Sequence, residues 1–322
     1  MGTVNPDRIG VVTGTETFFC DPLDVKDVYR KYGDPSQIDY GRWIEAAMRE
    51  IEPLWMLKYL PNMVSCQISI AIDARGPSNS IVQGDASSLL AVIEAANLIR
   101  RGTADVMIVG GSGSKTNLVG MVFHGVDNLC RNVEDPTAAC RPFDLQRSGR
   151  ILGEGAGMLV LESAAHAAQR GATPLGRITG MASSCCTLQQ NKQATIARVL
   201  GQAAEAIGRE LIDHVAAFGE SDREADVIEA QAIANVLPDV DVLALKSYYG
   251  STGAGGGAMD LVASLTAMEH DCLPATLNYQ TPDPACPLRL SNDHLQKSQS
   301  HAIVLAHSYT GQSAAIAVSS MR

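Results

Sequence analysis

Two spacings of apolar residues alternate along the chain. Short apolar runs bounded by glycine or polar residues predict buried strands in RIGVVTGT (Arg8 to Thr15), SNSIV, DVMIVGGSG (Asp105 to Gly113) and GAGMLVLES (Gly155 to Ser163). Between them, Ser87 to Arg101 carries Leu89, Leu90, Ile93, Ala96 and Leu98 at helical spacing. It ends on Arg100 and Arg101, where the helix dipole favours positive charge. After the alanine-rich AHAAQRGATP, strands are predicted again in LGRITGMASS, HVAAFGES, DVLALKS and HAIVLAHSYTGQSAAIAVS, with helices over Gln193 to Glu210, Ala225 to Val236 and Ala258 to Asp271. Strands alternating with helices predict an α/β fold. The two sets read as one plan used twice, so we divide the chain into halves at 1–168 and 169–322. The prolines of PDPACP, Pro282 to Pro287, predict a loop.

Composition narrows the function classes. With 322 residues, 46% of them hydrophobic, and a formal charge of -10, the chain reads as a soluble globular protein without the basic surplus of a nucleic-acid binder. Its eight cysteines are scattered, with no CxxC pair and no secretory pattern ahead of them, which predicts reduced thiols and a cytoplasmic protein. No run is long and apolar enough to predict a membrane span. The seven histidines show no metal-ligand spacing, and the glycine runs GGSGS and GSTGAGGG lack the GxxxxGK[ST] phosphate loop and the dinucleotide fingerprint. No metal or cofactor is therefore predicted. The glycines read instead as positions of close backbone approach.

The sharpest local feature is the corner in SNSIVQGDASS. A strand meets a helix through Gln83-Gly84-Asp85, a geometry that often presents a nucleophile, yet the residue presented is an aspartate. Acyl transfer to a carboxylate would give a mixed anhydride, without the controlled reactivity of a thioester. A negative charge also suits a helix N-terminus, and the expectation is that Asp85 caps the helix.

Longer motifs carry a resemblance. MVSCQISIAIDARGPSNSIV, DPTAACRPFDLQRSGRILGEGAGMLVLES, IEAQAI, LKSYYGSTGAGGG and LPATLNYQTPDPACPL occur in the order found in the elongating β-ketoacyl-acyl carrier protein synthases, and together they span nearly the whole chain. The resemblance implies a thiolase-like, five-layered αβαβα fold of two similar halves, normally dimeric. It also implies a place in fatty acid or polyketide biosynthesis, condensing a carrier-bound acyl chain with a malonyl unit through one cysteine and two histidines.

Carried over residue by residue, that resemblance leaves all three catalytic positions substituted: Asp85 stands at the cysteine, Phe218 and Ser251 at the two histidines, while the lysine of the second histidine motif is kept as Lys246. In the carboxyl-terminal loop, HSYTGQSAA replaces NSFGFGGTN. Gly311 then stands where the gating phenylalanine belongs, and Tyr309 and His307 are the remaining candidates to line an acyl pocket. His307 reads as a hydrogen-bonded residue at a strand end, with pairing to Asp85 or Ser251 as the alternative. Glu220 and Asp222 read as a solvated acidic turn, with a paired-carboxylate site as the alternative. Family members also begin with a strand and helices ahead of the segment matching RIGVVTGT, which here stands almost at the start. The family's first strand, normally central in its sheet, is therefore expected to be missing; a partner supplies it, the fold rearranges, or the sequence is a fragment of a longer one. The expected function is a chain-length-factor-like partner of an active ketosynthase, working with acyl carrier protein in a homodimer or heterodimer. The alternatives are an acyl-thioester enzyme of altered chemistry, by hydrolysis or decarboxylation, and a non-catalytic acyl-binding protein.

Overall fold

A computed structural model describes residues 4–17, 20–32, 36, 39–123, 125–131, 134–187 and 191–322; His124 lies outside them. The first sheet contains β1 (Ile9–Gly14), β2 (Ser78–Ile81), β3 (Val106–Ser114) and β4 (Glu154–Glu162), in the spatial order β2-β1-β3-β4. The second contains β5 (Gly176–Cys185), β6 (His214–Ala216) and β7 (Asp241–Leu243). After a small ribbon of β8 (Cys272–Leu273) and β9 (Leu295–Gln296), β10 (His301–His307) and β11 (Gln312–Ser320) complete it, in the order β5-β11-β10-β6-β7.

Helices fill the connections. A pair, α1 (Lys26–Tyr32) and α2 (Tyr40–Glu50), precedes α3 (Met63–Ile72), which packs on β1. Next come α4 (Ser87–Arg100), α5 (Leu118–Phe123), α6 (Ala164–Gln169), α7 (Lys192–Glu205), α8 (Ala225–Val236), the single turn α9 (Lys246–Tyr249) and α10 (Gly256–Glu269). The sheets face each other across α4 and α10, and this middle layer holds the central core, from Leu89, Val92 and Met107 to Leu261, Val304 and Ile316. A second core lies on the outer face of the second sheet, where Val199, Leu200 and Ala203 of α7 and Ile233 of α8 cover Ile303, Leu305 and Ala315. This layering matches the thiolase-like architecture the motifs implied.

Two sequence expectations shift. HVAAFGES forms a strand only over His214–Ala216, because the amides of Phe218 and Gly219 donate to the Glu229 carboxylate and not to a neighbouring strand. The expectation of a central opening strand is not met in the second sheet, whose own opening strand β5 stands at the edge beside β11.

His214 illustrates the cost of burying a titratable group. It is fully buried in β6, and burial lowers its pKa to about 4, although the Gln299 side chain beside it pulls the other way. Its unfolded value lies near 6.5, so between these values the unfolded chain binds the extra proton. Stability is lost as pH falls through that window, by at most about 3 kcal/mol. Urea unfolding of His214→Phe at pH 7 and pH 4.5 should show a smaller loss on acidification than the parent chain shows.

Candidate functional site

The corner predicted from SNSIVQGDASS forms between β2 and α4. Gly84 turns it at φ +58°, a conformation glycine adopts without strain. The Ser87 hydroxyl fixes it by accepting the Gln83 N–H at 2.8 Å and donating to the Gly84 carbonyl at 2.6 Å. The helix cap is Ala86, with no side-chain capping bond, and the Asp85 carboxylate instead meets Lys115 Nζ at 2.5 Å. The expected capping role of Asp85 is thus replaced by a buried ion pair. The reason is position: Lys115 follows the last residue of β3, and that strand end delivers its ammonium under the corner.

From Lys115 a polar chain continues through the interior. Lys115 Nζ donates to Ser251 Oγ at 3.0 Å, and Ser251 Oγ donates to Glu220 Oε2 at 3.1 Å. Arg150 Nε lies 3.1 Å from Glu220 Oε1, and its Nη2 lies 3.0 Å from Asp222 Oδ2. Glu220 is buried, so the expectation of a solvated acidic turn is corrected: the two carboxylates share one guanidinium. Glu16 closes the cluster, accepting the Ala254 N–H at 2.6 Å. A Cβ on Gly253 would lie 1.6 Å from the Glu16 carboxylate, so glycine is required there.

Charge and burial oppose each other throughout this cluster. Burial works against the Lys115 ammonium, but the carboxylates of Asp85, Glu220 and Glu16 outweigh it and raise its pKa above the usual lysine value. Burial, with Asp85 as a like charge, raises Glu16. Burial also raises Glu220, although Arg150 and Lys115 pull it down. A lysine held as ammonium is no nucleophile, and a carboxylate bound to it is a weakened one.

Phe218 and Lys246 form the adjoining part. The Phe218 ring sits beneath Lys246 Nζ at 4.2 Å and meets the His307 ring edge-on at 5.7 Å between centroids. Lys246 Nζ pairs with Asp260 at 3.1 Å, and Tyr249 donates a short hydrogen bond to the same carboxylate. His307 is buried and meets Glu229 at 3.2 Å, in place of the alternative pairing with Asp85 or Ser251. Burial pushes Glu229 up, but bonds from His307 and from the Gly219 and Phe218 amides prevail and hold it below its usual value.

Gly311 lies in the hairpin turn joining β10 and β11, at φ +91°, and its amide donates to the Ser308 carbonyl at 3.1 Å. The same turn lies over the nucleophile corner, since a Cβ on Gly84 would lie 2.9 Å from Ser308 Oγ and 3.3 Å from the Tyr309 ring. Tyr309 is exposed and packs edge-on against Phe123.

Asp85, Phe218, Ser251 and Lys246 are all buried, and the first and third are bridged by Lys115. Surface clefts of about 520 and 310 Å³ lie elsewhere, the first lined by Asp24, Glu50 to Trp55, Leu57 and Lys58, the second by Leu145 to Arg147, Arg223, Val227 and Asp283. Cys140, whose Sγ is 3.0 Å from the Lys246 carbonyl, offers no replacement nucleophile, because burial pushes its thiol up to about 11. Lys115, Arg150 and Glu16 escaped the reading of the motifs. The available signal was the lysine directly after GGSGS, at the carboxyl end of a buried strand, where α/β folds gather functional groups.

Comparison with known proteins agrees with this geometry. Residues 2–167 match the beta-ketoacyl synthase N-terminal domain, and residues 175–280 match its C-terminal domain. The oxytetracycline polyketide putative beta-ketoacyl synthase 1 of Streptomyces rimosus is 31% identical, over 89% of this chain and 68% of that protein. A solved beta-ketoacyl synthase from Burkholderia phymatum superposes with a TM-score of 0.86 at 25% identity, covering 100% of this chain and 77% of that one. The ishigamide ketosynthase/chain length factor gives a TM-score of 0.80 at 25% identity, over 98% and 76%. On these matches the chain belongs to the β-ketoacyl synthase family.

Proposed function

We infer that this chain is a ketosynthase homologue without condensing activity of its own, acting as a chain-length-factor-like partner of an active ketosynthase in fatty acid or polyketide biosynthesis. The observation that carries the reading is the Lys115 bridge. It joins the residue at the nucleophile position, Asp85, to the residue at a histidine position, Ser251, inside a buried network. Condensation needs a nucleophile to take the acyl group and a donor to stabilise the enolate. Here the first is neutralised and the second is tied to Glu220. Phe218, at the other histidine position, brings only an apolar ring to Lys246.

Likeness to a solved ketosynthase/chain length factor supports the pairing with an active subunit, and acyl carrier protein is then the natural carrier of the shared substrate. The partnership is tested by purifying the chain with an intact, cysteine-bearing ketosynthase of the polyketide type. A one-to-one complex whose product length changes when this chain is present supports the role. Two subunits that elute separately at micromolar concentration contradict it. Turnover of acyl-carrier protein by this chain alone, lost in Asp85→Asn, would favour the altered-chemistry enzyme.

A further inference from the structure

Cys185 and Cys186 are the chain's one adjacent pair of cysteines, and the buried network at the corner uses neither. They end β5. Cys185 is the last residue of the strand, in register with Gln312 of β11, and the Cys186 N–H donates to the Gly311 carbonyl at 3.0 Å. Both thiols are free, with Cys185 exposed and Cys186 half-buried.

The two thiols lie against one turn. Cys185 Sγ is 4.0 Å from the Thr310 carbonyl oxygen, and Cys186 Sγ is 3.5 Å from that of Gly311. The fit is close, since a Cβ on Gly311 would lie 2.4 Å from the Cys186 carbonyl oxygen and 3.2 Å from its sulfur. This is the turn whose Ser308 hydroxyl and Tyr309 ring lie over Gly84. The thiol pair therefore reaches the corner through one layer of contacts.

Geometry sets what such a pair can do. A thiol that senses oxidants is exposed and stands beside a second thiol able to resolve it. Adjacent Cα atoms are about 3.8 Å apart across a trans peptide, short of the roughly 4.4–6.8 Å that an ordinary disulfide spans. A bond between the two sulfurs is thus strained and easily reduced, which suits a reversible mark and not a structural staple. Extended backbone also sends successive side chains to opposite faces. Closing the bond therefore turns the peptide between the two residues out of the strand conformation, and the Cys186 N–H leaves the Gly311 carbonyl.

We propose that Cys185 and Cys186 are a peroxide-oxidised thiol pair, which holds the turn over the corner when reduced and releases it when oxidised. The Cys185 thiolate attacks one oxygen of a hydroperoxide. The O–O bond breaks, the other oxygen leaves and takes a proton, and Cys185 becomes a sulfenic acid. The Cys186 thiolate then attacks Cys185 Sγ, the S–O bond breaks, and the departing hydroxide takes a proton to form water. Together the two thiols give up two electrons, and the hydroperoxide is reduced to an alcohol and water. A small dithiol reverses the mark by exchange.

The test treats the full chain with hydrogen peroxide and reads the tryptic peptide 178–192, which carries both cysteines. That peptide should lose two hydrogens, about 2 Da, and regain them with dithiothreitol. In the oxidised protein, amide exchange over 308–312 should quicken at least about 10-fold, with the strands of the core unchanged. Cys185→Ser should abolish both effects. Cys186→Ser should stop at a sulfenic acid that dimedone traps, with exchange in the turn as in the reduced parent. Three results would overturn the proposal: a parent peptide that gains oxygen without losing hydrogens, a loss of two hydrogens that persists in Cys186→Ser, or an oxidised pair that leaves exchange over 308–312 unchanged. The second would mean that the sulfenic acid closes on a backbone nitrogen and not on the neighbouring thiol.

Discussion

Lys115→Met lowers the stability of the fold by about 3–5 kcal/mol, the range for removing one partner of a buried ion pair. Lys115 is among the largest fully buried side chains, and three carboxylates depend on its charge. Methionine fills a similar volume, so the loss measures electrostatics and not a cavity. Asp85 and Glu220 would stay buried without their shared cation, and Ser251 Oγ would lose the bond from Nζ. The double substitution Asp85→Leu with Lys115→Met should recover much of that loss, because it removes both charges together. Urea unfolding of the four proteins completes the cycle. Additive losses would mean that the pair does not organise the corner.

Phe218→Ala is the second large effect, also about 3–5 kcal/mol, from transfer and cavity terms of a buried aromatic. The ring packs in the central core, under Lys246 Nζ and against His307, so its removal leaves an ammonium over empty space beside Asp260. Phe218→Leu should cost less, because it retains most of the volume and loses only the ring's attraction for the cation. If both substitutions cost under about 1 kcal/mol, the site has room to collapse, and the packed arrangement is wrong.

The fold was largely legible because apolar spacing and the long motifs agree. The helix expected over Ala225 to Val236 has those bounds, and the predicted runs of the first sheet contain β1 to β4 within a residue or two. The site was legible as positions and not as partners. Asp85, Phe218 and Ser251 could be placed by motif, but the lysine between Asp85 and Ser251 lies 30 residues from one and 136 from the other. Only the meeting of strand ends brings them together. The capping role assigned to Asp85 followed from local preference, worth about 1 kcal/mol, and a nearby buried cation overrides it. Glu220 was misread for the same reason: an acidic run looks solvated until Arg150 is seen to enter it.

The claim that the condensing site is closed has a direct measurement. The purified chain is incubated with acyl-carrier protein, quenched, and weighed intact by mass spectrometry, with malonyl-carrier protein added in a parallel reaction to detect a β-ketoacyl product. The account predicts an unchanged mass and no product. An acyl adduct on the chain, or a condensed product that disappears in Asp85→Asn, would contradict it.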